Sequence, residues 1–316
     1  MVSFAKAVVD TLAAATIRLG APLFRAVGRW PGGYPRYLRA ADKAGVHWRS
    51  THYYHPTYTD SDLPADLGGA RALPGLDLNA AGQLALLARF AVAAEVTGFP
   101  ESSGAALAFH YANGAYEHGD AEALYAMLRH HKPKRVIEIG SGHSTRMAKA
   151  ALDANRRDDP AYDCRHVCIE PYEMDWLEQL GVEVLRERVQ DVPLSFFAQL
   201  EAGDVLFIDS SHVIRPHGDV LYEFQQLVPS LPKGVLVHVH DIFTPCDYPE
   251  KWVRNERRLW NEQYLMEAML AHSPRYRVTL ALNWLTQNHR AAMDAAFPSM
   301  AGATCAPGGF WFEVVQ

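Results

Sequence analysis

Residues 134–148 read KRVIEIGSGHSTRMA, and this stretch decides the fold. Val136, Ile137 and Ile139 form a short β-branched run of the kind that fills a buried parallel strand. Gly140-Ser141-Gly142 follows at once, and a helix is predicted from about Ser144. Strand, glycine turn and helix N-terminus together make a ligand cradle, because glycine lets a ligand approach the backbone and the first helical N–H groups have no partner within the helix. A dinucleotide fingerprint would continue G-x-G-x-x-G. Here the pattern is Gly140-x-Gly142-x-Ser144, with the carboxylate Glu138 inside the strand end. A carboxylate beside the loop suits a ligand that carries positive charge better than it suits a pyrophosphate.

Working outward, the strand–helix alternation continues. His166 to Ile169 is a strand ending in Glu170, placed where α/β nucleotide sites hold a ribose diol, so Glu170 is the expected ribose ligand. Val182 to Leu185 makes a third strand, with Gln190-Asp191 beyond it. Asp204 to Ile208 runs into Asp209-Ser210-Ser211-His212, and Gly234 to Val239 runs into His240-Asp241. Strand carboxyl ends border the ligand crevice of an open parallel sheet, so these four polar groups are delivered to one rim. Tyr276 to Leu282 and Phe310 to Val315 supply two further strands. Before the motif, Leu78 to Val96 reads as one core helix N-capped by Asn79, and a second helix starts near Asp120.

The E-x-G-x-G-x-S pattern resembles motif I of the class I S-adenosylmethionine-dependent methyltransferases. The resemblance implies a Rossmann-like seven-stranded α/β sheet in the order 3-2-1-4-5-7-6, with helices on both faces. It places the cofactor on Glu138, Gly140, Ser141, Gly142, Ser144, Glu170 and Asp209 and the adenine on Asp191, for which a helix N-cap role is an equal alternative. The loop before the second helix would lie over the cofactor, bringing in Tyr111, Asn113 and Tyr116. Over roughly residues 108 to 245 the chain is similar to metal-dependent enzymes of the macrocin O-methyltransferase and cephalosporin-hydroxylase-like group. Those relatives carry an acid at the end of strand four, a D-x-x-H histidine and an acidic pair at the end of strand five. Asp209 and His212 match the D-x-x-H, and His240-Asp241 match the pair with one departure, an imidazole in place of a carboxylate.

The resemblance thus implies O-methylation of a sugar, polyketide or phenolic hydroxyl. Asp209, His240 and Asp241 would hold a divalent metal, magnesium, manganese or iron, while Asp209 and His212 form the catalytic pair and His212 acts as base. The imidazole shifts the ligand set toward a first-row transition ion and also leaves room for an unassisted base with no metal. A metal-dependent oxidoreductase or hydroxylase on the same fold is the alternative. Phe243, Tyr248, Trp252 and Trp260 fall where such enzymes place an acceptor lid, with core packing the other reading.

Composition bounds the partners. The chain has 316 residues and a formal charge of −6, with no block of Lys and Arg suited to phosphate, which argues against nucleic acid. Four cysteines, Cys164, Cys168, Cys246 and Cys305, form no C-x-x-C pair and read as reduced thiols of a cytoplasmic protein. Residues 1–105 are expected as a helical and irregular extension and 106–316 as the cofactor-binding domain. In the first thirty residues Asp10 interrupts the apolar run and Arg18 ends it. That argues against a membrane span and favours an amphipathic helix packed on the domain or on a second subunit, hence a homo-oligomer, with peripheral membrane contact as the alternative. Residues 31 to 66, rich in Tyr, His and Pro, are expected to be irregular, and His52 to Tyr58 offer either rim packing or a flap over the pocket.

Overall fold

The computed structural model describes residues 4–29, 31–105, 107–303 and 306–316, which leaves Cys305 outside the described residues. Two compact units divide between Leu67 and Gly68. The boundary therefore falls well before the expected 105. The segment after Gly68 is tied to the sheet unit by specific bonds: Arg71 forms an ion pair with Glu267, Asn79 Nδ2 donates to the Val278 carbonyl (2.9 Å), and Ala281 N–H donates to Gln83 Oε1 (2.7 Å).

In the first unit, helix α1 (Phe4–Arg29) and helix α2 (Pro35–Ala44) precede an irregular run, as expected. Burial in α1 is confined to Val27 and Gly28, at the end where Phe24 stacks on Trp48 at 4.1 Å. By length and composition α1 is long and apolar enough to cross a membrane, since the helix continues past Arg18 to Arg29. Tyr53 and Tyr54 stand exposed.

The second unit is built on seven strands: β1 Arg135–Ile139, β2 Arg165–Ile169, β3 Glu183–Leu185, β4 Val205–Ile208, β5 Leu236–Val239, β6 Tyr276–Ala281 and β7 Phe310–Val314. Their order is β3-β2-β1-β4-β5-β7-β6, the order the resemblance implies. The first five strands run parallel, and β7 is antiparallel to both β5 and β6. Alternation along β1 sends Ile137 and Ile139 into one apolar cluster with Leu206, Ile208, Val237 and Val239, and Val136 into another with Phe207 and Trp311. Both faces are covered, which is why the parallel strands read as near-continuous apolar runs.

The helix expected over 78–96 is interrupted, forming α3 (Ala80–Leu87) and α4 (Ala93–Val96). Two tight turns, Arg89 N–H to the Leu86 carbonyl and Phe90 N–H to the Leu87 carbonyl, break it and set Phe90 against Phe297 at 5.9 Å. Aromatic packing outweighs helix propensity there. Asn79 adopts a left-handed conformation and bonds β6 instead of capping α3. Helices α5 (Asp120–His131) and α6 (His143–Asp158) flank β1 in sequence, and α7 (Glu262–Leu270) lies between β5 and β6.

Candidate active site

A cavity of about 410 Å³ opens at the carboxyl ends of β1, β2 and β4. Gly140 sits on its wall at φ +75°, a conformation L side chains rarely adopt, and a Cβ there would overlap the Asp209 carbonyl group. The neighbouring strand tips are tied at this point, since Gly140 N–H donates to the Ile169 carbonyl (3.0 Å) and Asp209 N–H to the Ile139 carbonyl (2.8 Å). The glycine is therefore needed to let the loop turn over β4, which carries Asp209. Ser141, Gly142 and Ser144 also line the cavity at the start of α6.

Glu170 lines the cavity from the tip of β2. Its Oε1 accepts from Tyr172 N–H and Glu173 N–H, both at 3.0 Å, and its Oε2 faces Ser141 N–H at 3.3 Å. Three backbone donors hold the carboxylate at the rim.

Two expected cofactor ligands lie elsewhere. Glu138 is 1% exposed and does not line the cavity. Its carboxylate is committed to Thr145 Oγ1 (2.8 Å), to Ser144 Oγ (3.3 Å) and to His166 on the neighbouring strand, so it braces the glycine loop from beneath. The parallel register explains the pairing: Val136 lies beside His166 and Glu138 beside Cys168, which puts all three polar side chains on one face. Asp191 turns outward to an ion pair with Arg188 (2.7 Å), and Gln190 takes the wall position instead. Of the three loop residues the resemblance brought in, Tyr116 lines the cavity, beside Ala115. Tyr111 bonds the Val96 carbonyl in the core, and Asn113 closes its own turn through Tyr116 N–H (2.8 Å) and the Tyr116 carbonyl (2.7 Å).

Beside Asp209 the rim groups converge. His212 Nε2 lies 3.3 Å from Asp209 Oδ1 and 3.7 Å from Asp241 Oδ2, while His240 Nδ1 lies 3.4 Å and 3.7 Å from the same two oxygens. Asp209, His240 and Asp241 each offer a ligand atom, all within 4.8 Å of one another. Among the described residues the buried His240 Nδ1 has no properly oriented hydrogen bond, although it lies 3.4 Å and 3.7 Å from the two carboxylates. Two carboxylates and one imidazole with an orphaned nitrogen fit a divalent first-row cation. Asp241 occupies a left-handed conformation at φ +57°, which the close approach of Gly308 accommodates.

The electrostatics follow from burial and proximity. Burial opposes ionisation of Asp209, but His240 and His212 overcome it and hold the carboxyl well below its usual range. Burial also opposes a charge on His212, yet its bonds to Asp209 and Glu262 win and push it up to about 10. His240 is raised well above its usual value against burial by Asp241 and Asp209. Asp241 is raised, burial outweighing the two histidines.

Three supporting residues escaped the sequence reading. Glu262, fully buried at the start of α7, accepts from His212 Nδ1 at 2.8 Å, and its backbone N–H reaches the His212 carbonyl at 3.2 Å. Asp120, at the start of α5, lies 3.5 Å from His240 Nε2 and accepts from Gly309 N–H at 2.6 Å. Ser210 Oγ donates to the buried Glu223 at 3.0 Å. The sequence carries no sign of Glu262, because its meeting with His212 spans fifty positions. Asp120 had a signal only as a helix-start residue. In the expected lid, Phe243 and Tyr248 are buried packing, whereas Trp260 is half-buried and lies over the His212 ring at 4.2 Å.

Residues 137–242 match a family model described as a methyltransferase domain. An Archaeoglobus fulgidus protein described as uncharacterized is 35% identical over 136 residues, covering 40% of this chain; the chain spans 59% of the length of that curated relative. Among solved structures, an O-methyltransferase from Bacillus cereus in complex with SAH is similar with TM-score 0.38 and 15% identity, over 73% of this chain and 91% of that one. A methyltransferase from Geobacter sulfurreducens gives TM-score 0.37 and 16% identity, over 63% and 80%.

Proposed function

We propose that this chain, whose residues 137–242 match a methyltransferase-domain family model, transfers the methyl group of S-adenosylmethionine to a hydroxyl oxygen of a small molecule, a sugar, polyketide or phenol. The observation that carries the reading is a single juxtaposition. Asp209 both lines the glycine-loop cavity and belongs to the carboxylate–imidazole cluster, so the cofactor pocket and the acid–base groups share one strand tip.

The glycine loop and Glu170 would hold the cofactor, the first by backbone approach and the second through the ribose diol. The sulfonium methyl is electrophilic already, so the protein must align the acceptor oxygen and remove its proton. Asp209, His240 and Asp241 would hold a divalent cation which, when bound, lowers the pKa of the acceptor hydroxyl and offsets the field of the two carboxylates. In the protein alone its bonds to Asp209 and Glu262 keep His212 protonated, with its pKa raised to about 10. In its neutral form His212 would donate Nδ1–H to Glu262, leaving Nε2 as the accepting nitrogen on the Asp209 side. Trp260 covers the ring and limits water at the base.

Calorimetry with S-adenosylmethionine and its demethylated product, paired with methyl transfer by His212→Asn, tests the reading. Cofactor binding should persist in the variant while the rate falls by ~10²- to 10⁴-fold, the usual contribution of a general base. Absence of cofactor binding by the parent chain overturns the methyl-transfer reading, and an unchanged rate in the variant overturns the base.

A further inference from the structure

We propose that helix α1 lies in the plane of an anionic lipid surface and holds the chain there. At about 1.5 Å per residue its 26 residues extend roughly 39 Å, and they bury only Val27 and Gly28. Leu12, Leu19 and Leu23 are 62%, 85% and 64% exposed. At about 100° per residue, Val8, Leu12, Leu19 and Leu23 fall within an arc of roughly 60°, so they form one apolar stripe along the helix. Arg18, Arg25 and Arg29 fall within another arc of roughly 40°, its centre about 110° from that of the stripe, and all three are exposed.

Charge selects the occupant. Residues 1–49 hold eight Lys and Arg against Asp10 and Asp42, a net +6, in a chain whose total is −6; the remainder is therefore −12. The cationic charge is gathered on the segment that carries the apolar stripe, the combination an anionic bilayer attracts: acyl chains take the leucines and headgroups take the arginines. Although α1 meets the length and composition for a span, Arg18 falls near its middle, where a charge is costly in the bilayer core but well placed at an interface.

The test is sedimentation of the full chain with phosphatidylcholine vesicles, with and without phosphatidylglycerol, at low and high salt. Two variants, L12E/L19E and R18E/R25E, run alongside, with thermal melting confirming that each folds as the parent does. Binding should require phosphatidylglycerol, weaken at high salt and fall at least ~100-fold in L12E/L19E. In R18E/R25E it should fall by at least ~5-fold per arginine. Equal binding to neutral vesicles, no vesicle binding, or retention through high salt and alkaline carbonate overturns the in-plane anionic contact. So does a dimer that L12E/L19E dissociates without any vesicle binding, which would give the stripe to a second copy.

Discussion

Gly140 and Gly142 belong to one motif, yet the structure assigns them opposite tolerances for alanine. At Gly140 the backbone is left-handed, which costs a non-glycine residue ~1–2 kcal/mol before any contact is considered. The added methyl would also overlap the Asp209 carbonyl oxygen and stand 2.8 Å from its carbonyl carbon. Those are backbone atoms of the neighbouring strand tip, and with the oxygen at 1.9 Å relief requires a shift of about an ångström in the segment that carries Asp209. At Gly142, φ is 177°, extended backbone that any residue adopts, and the nearest atom to an added methyl is the flexible end of Met174 at 3.6 Å. We therefore expect Gly140→Ala to lose about 3 kcal/mol or more of stability and to weaken S-adenosylmethionine by ~10²-fold, because misplacement on the ångström scale is that costly. Gly142→Ala should cost under about 1 kcal/mol and leave affinity within several-fold. Urea unfolding and calorimetry on both variants read the difference. Equal effects, or a Gly140→Ala protein with parental stability and affinity, would refute the reasoning.

Other outcomes follow from the same geometry. Glu262→Gln should keep the fold and cofactor affinity but lower kcat at least ~10-fold and shift its pH profile, because His212 loses the carboxylate at Nδ1; a profile identical to the parent's would count against it. Manganese added to chelated protein should displace a proton from His240, so calorimetry in buffers of different ionisation enthalpy should show proton release at neutral pH, absent in His240→Ala. Burial lowers His131 from 6.5 to about 4, so its contribution to stability is fully present above pH 6.5 and disappears as pH falls toward 4. His131→Gln should accordingly flatten the acid limb of unfolding free energy by ~1–3 kcal/mol, as read from urea midpoints between pH 7 and 4.

The sequence by itself determined the sheet. Five apolar runs, each ending in a polar residue or glycine turn, are enough to specify parallel strands covered on both faces and a rim of functional groups at their carboxyl ends, because burial forces the pattern. The placement of Gly140, Glu170, Asp209, His212, His240 and Asp241 at the strand ends was legible for that reason. What only the tertiary structure decided depends on contacts between distant segments. Glu138 and Asp191 occupy motif positions, but strand register gives the first to His166 and a local ion pair gives the second to Arg188. Glu262 and Asp120 are unremarkable in sequence; the packing of α7 and α5 brings one against His212 and the other against His240. A periodic pattern reports which face of an element is buried, but the partner a buried carboxylate meets is set by the packing of whole elements, and no local pattern encodes it.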